Sequence, residues 1–546
     1  MAARRQAVRL ARGSHNSPEG ISPAGCRGEG GAKLAMGREC RRLSLSQSFN
    51  TDVLLRCSMR GMNPSTTAAS ASSPTLHPTP ATPGGPRSRW WGLPLLRAMR
   101  ADYLGFVTQL QREHGDLTRM RLGYEDAWDL MHPDLVREAL ITHADQLIRW
   151  ERGIAVFEEV FGQSVLVTEG DTWQRQRRML MPAFSPKRVA GYAQLMTDAA
   201  RSALDAAVPP GQPGAQVAVD ALWTDVAMDV ILRTLFSESA QADARDAAWA
   251  TQTLGATAYR EMFMPFTLPD WLPLPGKAAK RRAIRSLKGL VWSHIHARQA
   301  EVAAPGAPER SDLLHMLLAL RDEQTGEALS AQEVFDQCIV SFQAGHETSA
   351  TTLLWWTLLM AQHPEAAQRA QAEVDAVLQG GTPGPKHLAQ LPWLGATLKE
   401  ALRLYPPIAA LMSRRTTAPI TLGGVQVPQG AMLRITPWVL HRDARWFAEP
   451  DRFAPERFLD GAPPIPRGAW IPFGLGPRVC IGQHFAMLEM TLLAAMLLQR
   501  YTVRLPVGGA VGAPRLQVTL RPEGASALWL QRREARGKGA QAVAGR

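Results

Sequence analysis

Cysteine is scarce in this chain: there are five in 546 residues, with no CxxC pair and no regular framework. That spacing excludes a conventional structural zinc site and a disulfide-stapled secreted fold. Long apolar runs are missing as well. No stretch of about eighteen uninterrupted apolar residues occurs, so no transmembrane anchor is expected. The best candidates are broken by Gln343, His346 and Glu347 in one place and by Glu489 in another. The N-terminus carries no secretory apolar region, which makes the cytoplasm the expected location. No internal repeat is present. Acidic residues are few in the first 89 positions, which hold 13 Lys/Arg against 4 Asp/Glu, so +9 of the net +12 lies there. The remainder is close to neutral for its size, and a nucleic-acid partner loses its main support.

What the chain does contain is a hydrophobic content of 45%, enough for a sizeable core at this length. Residues 1–88 are rich in Arg, Ser, Gly, Pro and Ala without a sustained apolar period, a composition expected to stay disordered. They read either as an organellar transit segment or as the product of a start assigned too early, with the true one near Met62. A single domain is expected over 89–533, followed by a disordered tail over 534–546. Within the domain, helical patterns alternate with short strand-like pieces at 116–122, 420–427, 432–435, 515–521 and 527–531. Helices joined by Pro182 and Pro186 are expected over 172–206, and a basic amphipathic stretch runs over 277–303. The longest helical pattern starts at a capping box, Ser330 with Glu333, and ends at His363-Pro364. The fold class expected is mainly α with a small β region.

The most informative segment is Phe473-Gly-Leu-Gly-Pro-Arg-Val-Cys-Ile-Gly482, just before an apolar helical stretch. Cys480 can offer a thiolate, a soft and strongly donating ligand. Gly474, Gly476 and Gly482 permit turns and close approach to a flat cofactor. Arg478 can meet a carboxylate through a charge-assisted, bidentate bond. Phe473 can pack beside the sulfur and keep water away. Inside the long helix, Ala344-Gly-His-Glu-Thr-Ser349 combines a helix-weakening Gly345 with Thr348, whose hydroxyl can bond back to a carbonyl. A local bulge or kink is expected there. Glu400 and Arg403 fall at i and i+3 on one helix face, and Trp173 and Arg177 at i and i+4.

Taken together, these motifs resemble the cytochrome P450 family. The cysteine loop matches its Phe-x-x-Gly-x-Arg-x-Cys-x-Gly heme-ligating loop at every specified position. Residues 344–349 resemble its oxygen-activation motif, with Ser349 as a variant. Glu400-Ala-Leu-Arg403 resembles its Glu-x-x-Arg helix, Phe453-Ala-Pro-Glu-Arg-Phe458 its Pro-Glu-Arg-Phe stretch, and Trp173 with Arg177 its Trp-x-x-x-Arg helix. The order is the family's, and the likeness covers about Trp90 to Arg533.

The resemblance implies a cytochrome P450 fold with the long helix over a heme. The cofactor implied is heme b, held non-covalently because CxxCH is absent. Cys480 would be the axial iron ligand. Trp173, Arg177, Arg478 and either Arg414 or Arg415 would address the propionates. Ala344, Gly345, Phe473, Gly476 and Gly482 would lie against the cofactor. Glu347 and Thr348 would relay protons to bound dioxygen, and Glu400, Arg403 and Arg457 would form a buried structural triad. The activity implied is monooxygenation, by hydroxylation or epoxidation, of a hydrophobic small molecule. Residues 147–167, 259–266, 342–348 and 408–412 are expected to line the pocket, where Arg149 or Arg152 either anchors a carboxylate or is solvated. No flavin or nicotinamide fingerprint accompanies the domain, so a ferredoxin and an NAD(P)H-dependent reductase are the implied electron donors. The alternatives are a peroxide-driven enzyme, disfavoured by the retained acid–alcohol pair, and a non-catalytic heme-thiolate sensor or carrier.

Overall fold

The computed structural model describes residues 83–237, 244–262, 272, 276–302, 304–305 and 310–534. The leader expected over 1–88 therefore lies almost wholly outside the described residues, as do the tail beyond Glu534 and the pocket positions 263–266. Five of the helices frame the site: α1 (Gly170–Leu180), α2 (Val219–Phe236), α3 (Ala331–Gln362), α4 (Pro392–Leu404) and α5 (Gln483–Arg500).

The start of α3 is fixed by reciprocal caps. Ser330 Oγ accepts the Glu333 N–H at 3.2 Å, and the Glu333 carboxylate accepts the Ser330 N–H at 2.8 Å. From there α3 runs 32 residues, and Pro364 then opens the next helix. At 1.5 Å per residue this spans about 48 Å. Its two ends serve different cores. Val334 to Phe342 pack with the C-terminal half of α2 and with helix Lys277–Val302. Ala350 to Met360 pack with the N-terminal half of α2, α4 and α5. Its buried tryptophans find partners for their N–H groups: Trp355 donates to the Leu520 carbonyl at 2.7 Å and Trp356 to Thr397 Oγ1 at 2.9 Å. Residues 343–349 belong to neither core, and the exposed Ala344 marks the gap between them.

The bulge expected at Gly345 is not there, because α3 is continuous α-helix through residues 343–349. Its glycine answers a packing demand instead. A Cβ at Gly345 would lie 2.7 Å from Ile231 Cδ1 of α2, so the missing side chain lets the two helices close on each other.

The principal sheet contains β1 (Leu117–Leu122), β2 (Glu125–Leu130), β3 (Leu147–Arg149), β4 (Arg414–Thr416) and β5 (Met432–Ile435), in the order β1-β2-β5-β4-β3. Only the β2–β5 pairing is parallel. Two expected single strands turn out to be hairpins. Residues 420–427 fold back at Gly423-Gly424, both at positive φ, the conformation a tight hairpin turn needs. Residues 515–521 form Pro514–Leu516 against Leu520–Pro522, and the Leu520 N–H is taken by the Pro407 carbonyl. Alternation alone cannot distinguish one strand from two short ones joined by a turn.

Candidate active site

The cysteine loop is closed by its own backbone, with the Cys480 N–H donating to the Phe473 carbonyl at 2.9 Å. Gly476 has φ +76°, and a Cβ there would fall 2.0 Å from the Leu140 carbonyl oxygen. Protein packing by itself therefore demands that glycine. At Gly482 the nearest atom to a missing Cβ is Cys480 Sγ at 3.9 Å. The Cys480 side chain is accessible although protein surrounds it. Burial raises its thiol pKa, opposed by the Gly482 N–H and the Arg177 charge. Both opposing terms favour thiolate, as does the N-terminus of α5 three residues on. The other cysteine of the described residues, Cys338, is fully buried in α3, and burial pushes its thiol up.

Four guanidiniums gather beside this loop. Arg177 on α1 donates to the Val479 carbonyl at 2.9 Å. Arg478 donates to the Thr168 carbonyl at 3.0 Å and pairs with Glu169. Its guanidinium carbon sits 3.8 Å from the centroid of the Trp173 ring, while that of Arg177 sits 5.9 Å away. Arg149 on β3 reaches Glu169 at 3.3 Å, and Arg414 on β4 donates to the Met412 carbonyl. Glu169 is the one carboxylate in contact with the group among the described residues. The imbalance lowers the basicity of the group. Burial, then the Arg149 charge, brings Arg414 down to about 10 and Arg478 to about 9. Burial also lowers Arg149 and Arg177. A ligand carrying two carboxylates and a metal that accepts a thiolate fits this donor set, and heme is such a group.

Neighbouring positions on β4 part ways. Arg415 faces Glu125 and Glu151, at 2.6 and 3.0 Å, and their bonds push its pKa up. Strand alternation puts it on the face away from Arg414, so it is not part of the cluster. Arg149 also departs from expectation. It is 6% exposed and joins Arg414, rather than being solvated or anchoring a substrate. Strand pairing brings it there, since Arg149 and Arg414 are Cα partners across β3 and β4. A lone cation in the strand Leu-Ile-Arg was the available signal.

On α3, Thr348 Oγ1 donates to the Ala344 carbonyl at 2.9 Å, and both residues lie on the strip between the cores. Glu347 points elsewhere. Its carboxylate accepts from Thr519 at 2.8 Å and from Arg521 at 3.0 Å, and Arg521 also holds Asp220 of α2. Burial opposes its ionisation, but Arg521, with His346 and Thr519, holds its pKa below the usual range. The structure thus separates the two expected relay groups, and the C-terminal hairpin's hold on Glu347 was not legible in the sequence.

Glu400, Arg403 and Arg457 do come together. Arg403 and Glu400 are fully buried and bidentate, both bonds at 2.7 Å, and Arg457 approaches Glu400 at 3.4 Å. The remaining Arg403 donors go to the carbonyls of His441, Pro450 and Arg452 at 2.6–3.0 Å. His441 was missed. It accepts the Ile471 N–H at Nε2 and donates from Nδ1 to the Arg403 carbonyl, and burial lowers its pKa to about 3.

A cavity of about 580 Å³ has Trp150, Phe157, Tyr259, Met262, Leu411 and Met412 in its wall, from three of the four expected segments. Residues 342–348 do not line it. Its other walls, from the region of Trp90 to Tyr103 and from Leu516 to Val518, were not expected.

Comparison with known proteins gives a match to the Cytochrome P450 family model over residues 83–528. Cyclooctat-9-en-7-ol 5-monooxygenase of Streptomyces melanosporofaciens is 34% identical over 447 residues, covering 79% of this chain and 94% of that protein. Cyclooctatin synthase of the same organism is 34% identical over 456 residues, covering 80% and 95%. Pentalenene oxygenase of Streptomyces avermitilis is 32% identical over 408 residues, covering 73% and 86%.

Proposed function

The chain belongs to the cytochrome P450 family and is a monooxygenase of that family, and on that premise we propose that it oxidises a hydrocarbon-rich small molecule by hydroxylation or epoxidation. The observation that supports this reading is the set of four undercompensated arginines around the loop of an accessible cysteine. When bound, a thiolate-ligated heme supplies oxygen activation, because the thiolate pushes electron density that favours O–O cleavage.

In this reading Cys480 holds the iron, and Arg149, Arg177, Arg414 and Arg478 hold the propionates. Heme b is the form proposed. Trp173 covers the Arg478 guanidinium and excludes water from it. Thr348 would be the hydroxyl that holds a proton on the cofactor-facing strip of α3, where it now donates to the Ala344 carbonyl. Glu347, kept ionised by Arg521 and Thr519 away from that strip, would serve as the second relay group only once released from them. Glu400, Arg403 and Arg457 fix the backbone leading to the cysteine loop.

Relatives are named for an unsaturated alcohol and for pentalenene, and a substrate of that hydrocarbon character suits the largely apolar wall of the cavity. A ferredoxin and its NAD(P)H-dependent reductase are the proposed electron donors. No helix among the described residues is long and apolar enough to cross a membrane, and the cytoplasm is the proposed location.

The deciding experiment is the spectrum of the reduced, carbon monoxide-bound protein. Thiolate ligation red-shifts the Soret band strongly, and Cys480→Ala should abolish that band. Its survival in the variant would remove Cys480 as the ligand. Thr348→Ala separates an enzyme from a sensor or carrier. Heme and ligand binding should persist while product formed per nicotinamide oxidised falls, and an unchanged ratio would rule out the hydroxyl's role.

A further inference from the structure

Arg434 is a second buried arginine with an unusual donor account. It lies on β5, 5% exposed, and its Cα partner across the parallel β2–β5 pairing is Asp129. Nη2 donates to Asp129 Oδ2 at 2.7 Å, and Asp129 is itself 2% exposed. The other contacts are to sulfur. Nη1 rests on Met99 Sδ at 3.3 Å, and Nη2 reaches Met120 Sδ at 3.9 Å. Nε, also buried, has no acceptor. A guanidinium carries five donors, and a thioether is a weak acceptor. Arg403 shows what a purely structural arginine achieves here, with two carboxylate and three carbonyl oxygens around it.

Arg434 and Met99 both line the 580 Å³ cavity, as does Met432, which shares a strand face with Arg434. A buried donor left without an oxygen acceptor is costly. Here Arg434 belongs to the wall of a cavity from which a ligand could supply one. Methionine is unbranched and adaptable, so Met99 can yield its place without disturbing the backbone. The charge of Arg434 is already matched by Asp129, so the acceptor that fits is a neutral oxygen.

We propose that Arg434 is the polar anchor of this cavity, donating from Nη1 and Nε to a hydroxyl or carbonyl oxygen of an otherwise hydrocarbon ligand as Met99 moves aside. The inference rests on the monooxygenase reading for the ligand's role as substrate, but not for its binding.

The test is calorimetric titration of the heme-loaded protein with farnesol, farnesene and farnesoate, which share a skeleton and differ at one end. Calorimetry needs neither turnover nor a spin-state change, so failure of the catalytic reading leaves it intact. In Arg434→Met, farnesol should bind about tenfold more weakly, the loss of one hydrogen bond to a charged donor. Farnesene should change by less than about twofold, as expected for a probe with no acceptor. Farnesoate should bind the native protein no tighter than farnesol. Should Arg434→Met not fold because Asp129 is left unpaired, Arg434→Met with Asp129→Asn serves instead. Met99→Leu removes only the competing sulfur and should raise the farnesol-to-farnesene affinity ratio. The proposal is overturned if farnesol does not bind, if the arginine variant weakens both probes equally or neither, if farnesoate binds tighter than farnesol, or if Met99→Leu leaves the ratio unchanged or lowers it.

Discussion

Two groups of arginine, each part buried and part half-buried, stand in opposite states of compensation. At the α4 triad, Arg403 places all of its donors on oxygen and shares two bonds with Glu400, both residues being fully buried. At the cysteine loop, Arg149, Arg177, Arg414 and Arg478 share Glu169, and burial with mutual repulsion holds Arg414 and Arg478 well below the usual arginine range. In the first group the Arg403 donors are all satisfied by protein alone. The second is left short of anions within the described residues, with Glu169 as its one contacting carboxylate. Matching thus separates an arginine that holds a fold from one that waits for a ligand, and burial by itself does not.

The comparison breaks most severely at the matched end. Glu400→Ala should destabilise the protein by about 3–5 kcal/mol, because it leaves the Arg403 charge buried and unpaired. Chemical denaturation measures this directly, and a loss below about 1 kcal/mol, the worth of a surface pair, would show the triad to be dispensable.

At the unmatched end the signs should reverse. Arg414→Leu removes a buried charge with no carboxylate bonded to it, so the heme-free protein should be no less stable than the native one. Heme retention should fall about 10–100-fold, the worth of one charged hydrogen bond to a propionate. Heme transfer to an acceptor globin reads the second effect and thermal melting the first. A variant that melts earlier yet keeps its heme would place Arg414 among the structural arginines.

The smallest effect sharpens the comparison through pH. Arginine bases whose folded pKa lies at about 9 and about 10, below the unfolded value, weaken the fold while protonated in it. That penalty is complete below about pH 8 and is relieved as pH rises through the folded pKa values, since the unfolded chain then binds more protons. The stability of the heme-free native protein should therefore gain on that of Arg414→Leu/Arg478→Leu between pH 8 and about 10.5. A gap that stays constant would mean that the cluster is compensated within the chain.

Much of the site was legible because its chemistry is local. The cysteine loop, the cap at Ser330 and the pair Glu400–Arg403 each sit within a few residues of one another, where turn geometry and helical spacing decide the outcome. Arg414 and Arg415 could not be told apart by spacing, because strand alternation assigns faces only relative to a partner strand, and β3 and β5 supply that frame from distant positions. Arg149 joined the cluster for the same reason. The bulge that Gly345 permits did not form, because a glycine in a helix allows a bulge and a close helix contact alike, and Ile231 of α2 lies where its Cβ would be.

The sequence by itself determined the thiol set in the 473–482 loop, the helical class and the length of α3, since turn chemistry, capping and periodicity act through neighbours in the chain. The tertiary structure alone decided which charges are matched. Glu347 is held by Arg521, 174 positions away, and Arg434 faces a cavity built from both ends of the domain. Charge compensation depends on distance through space and on burial, and neither is fixed until the chain has folded.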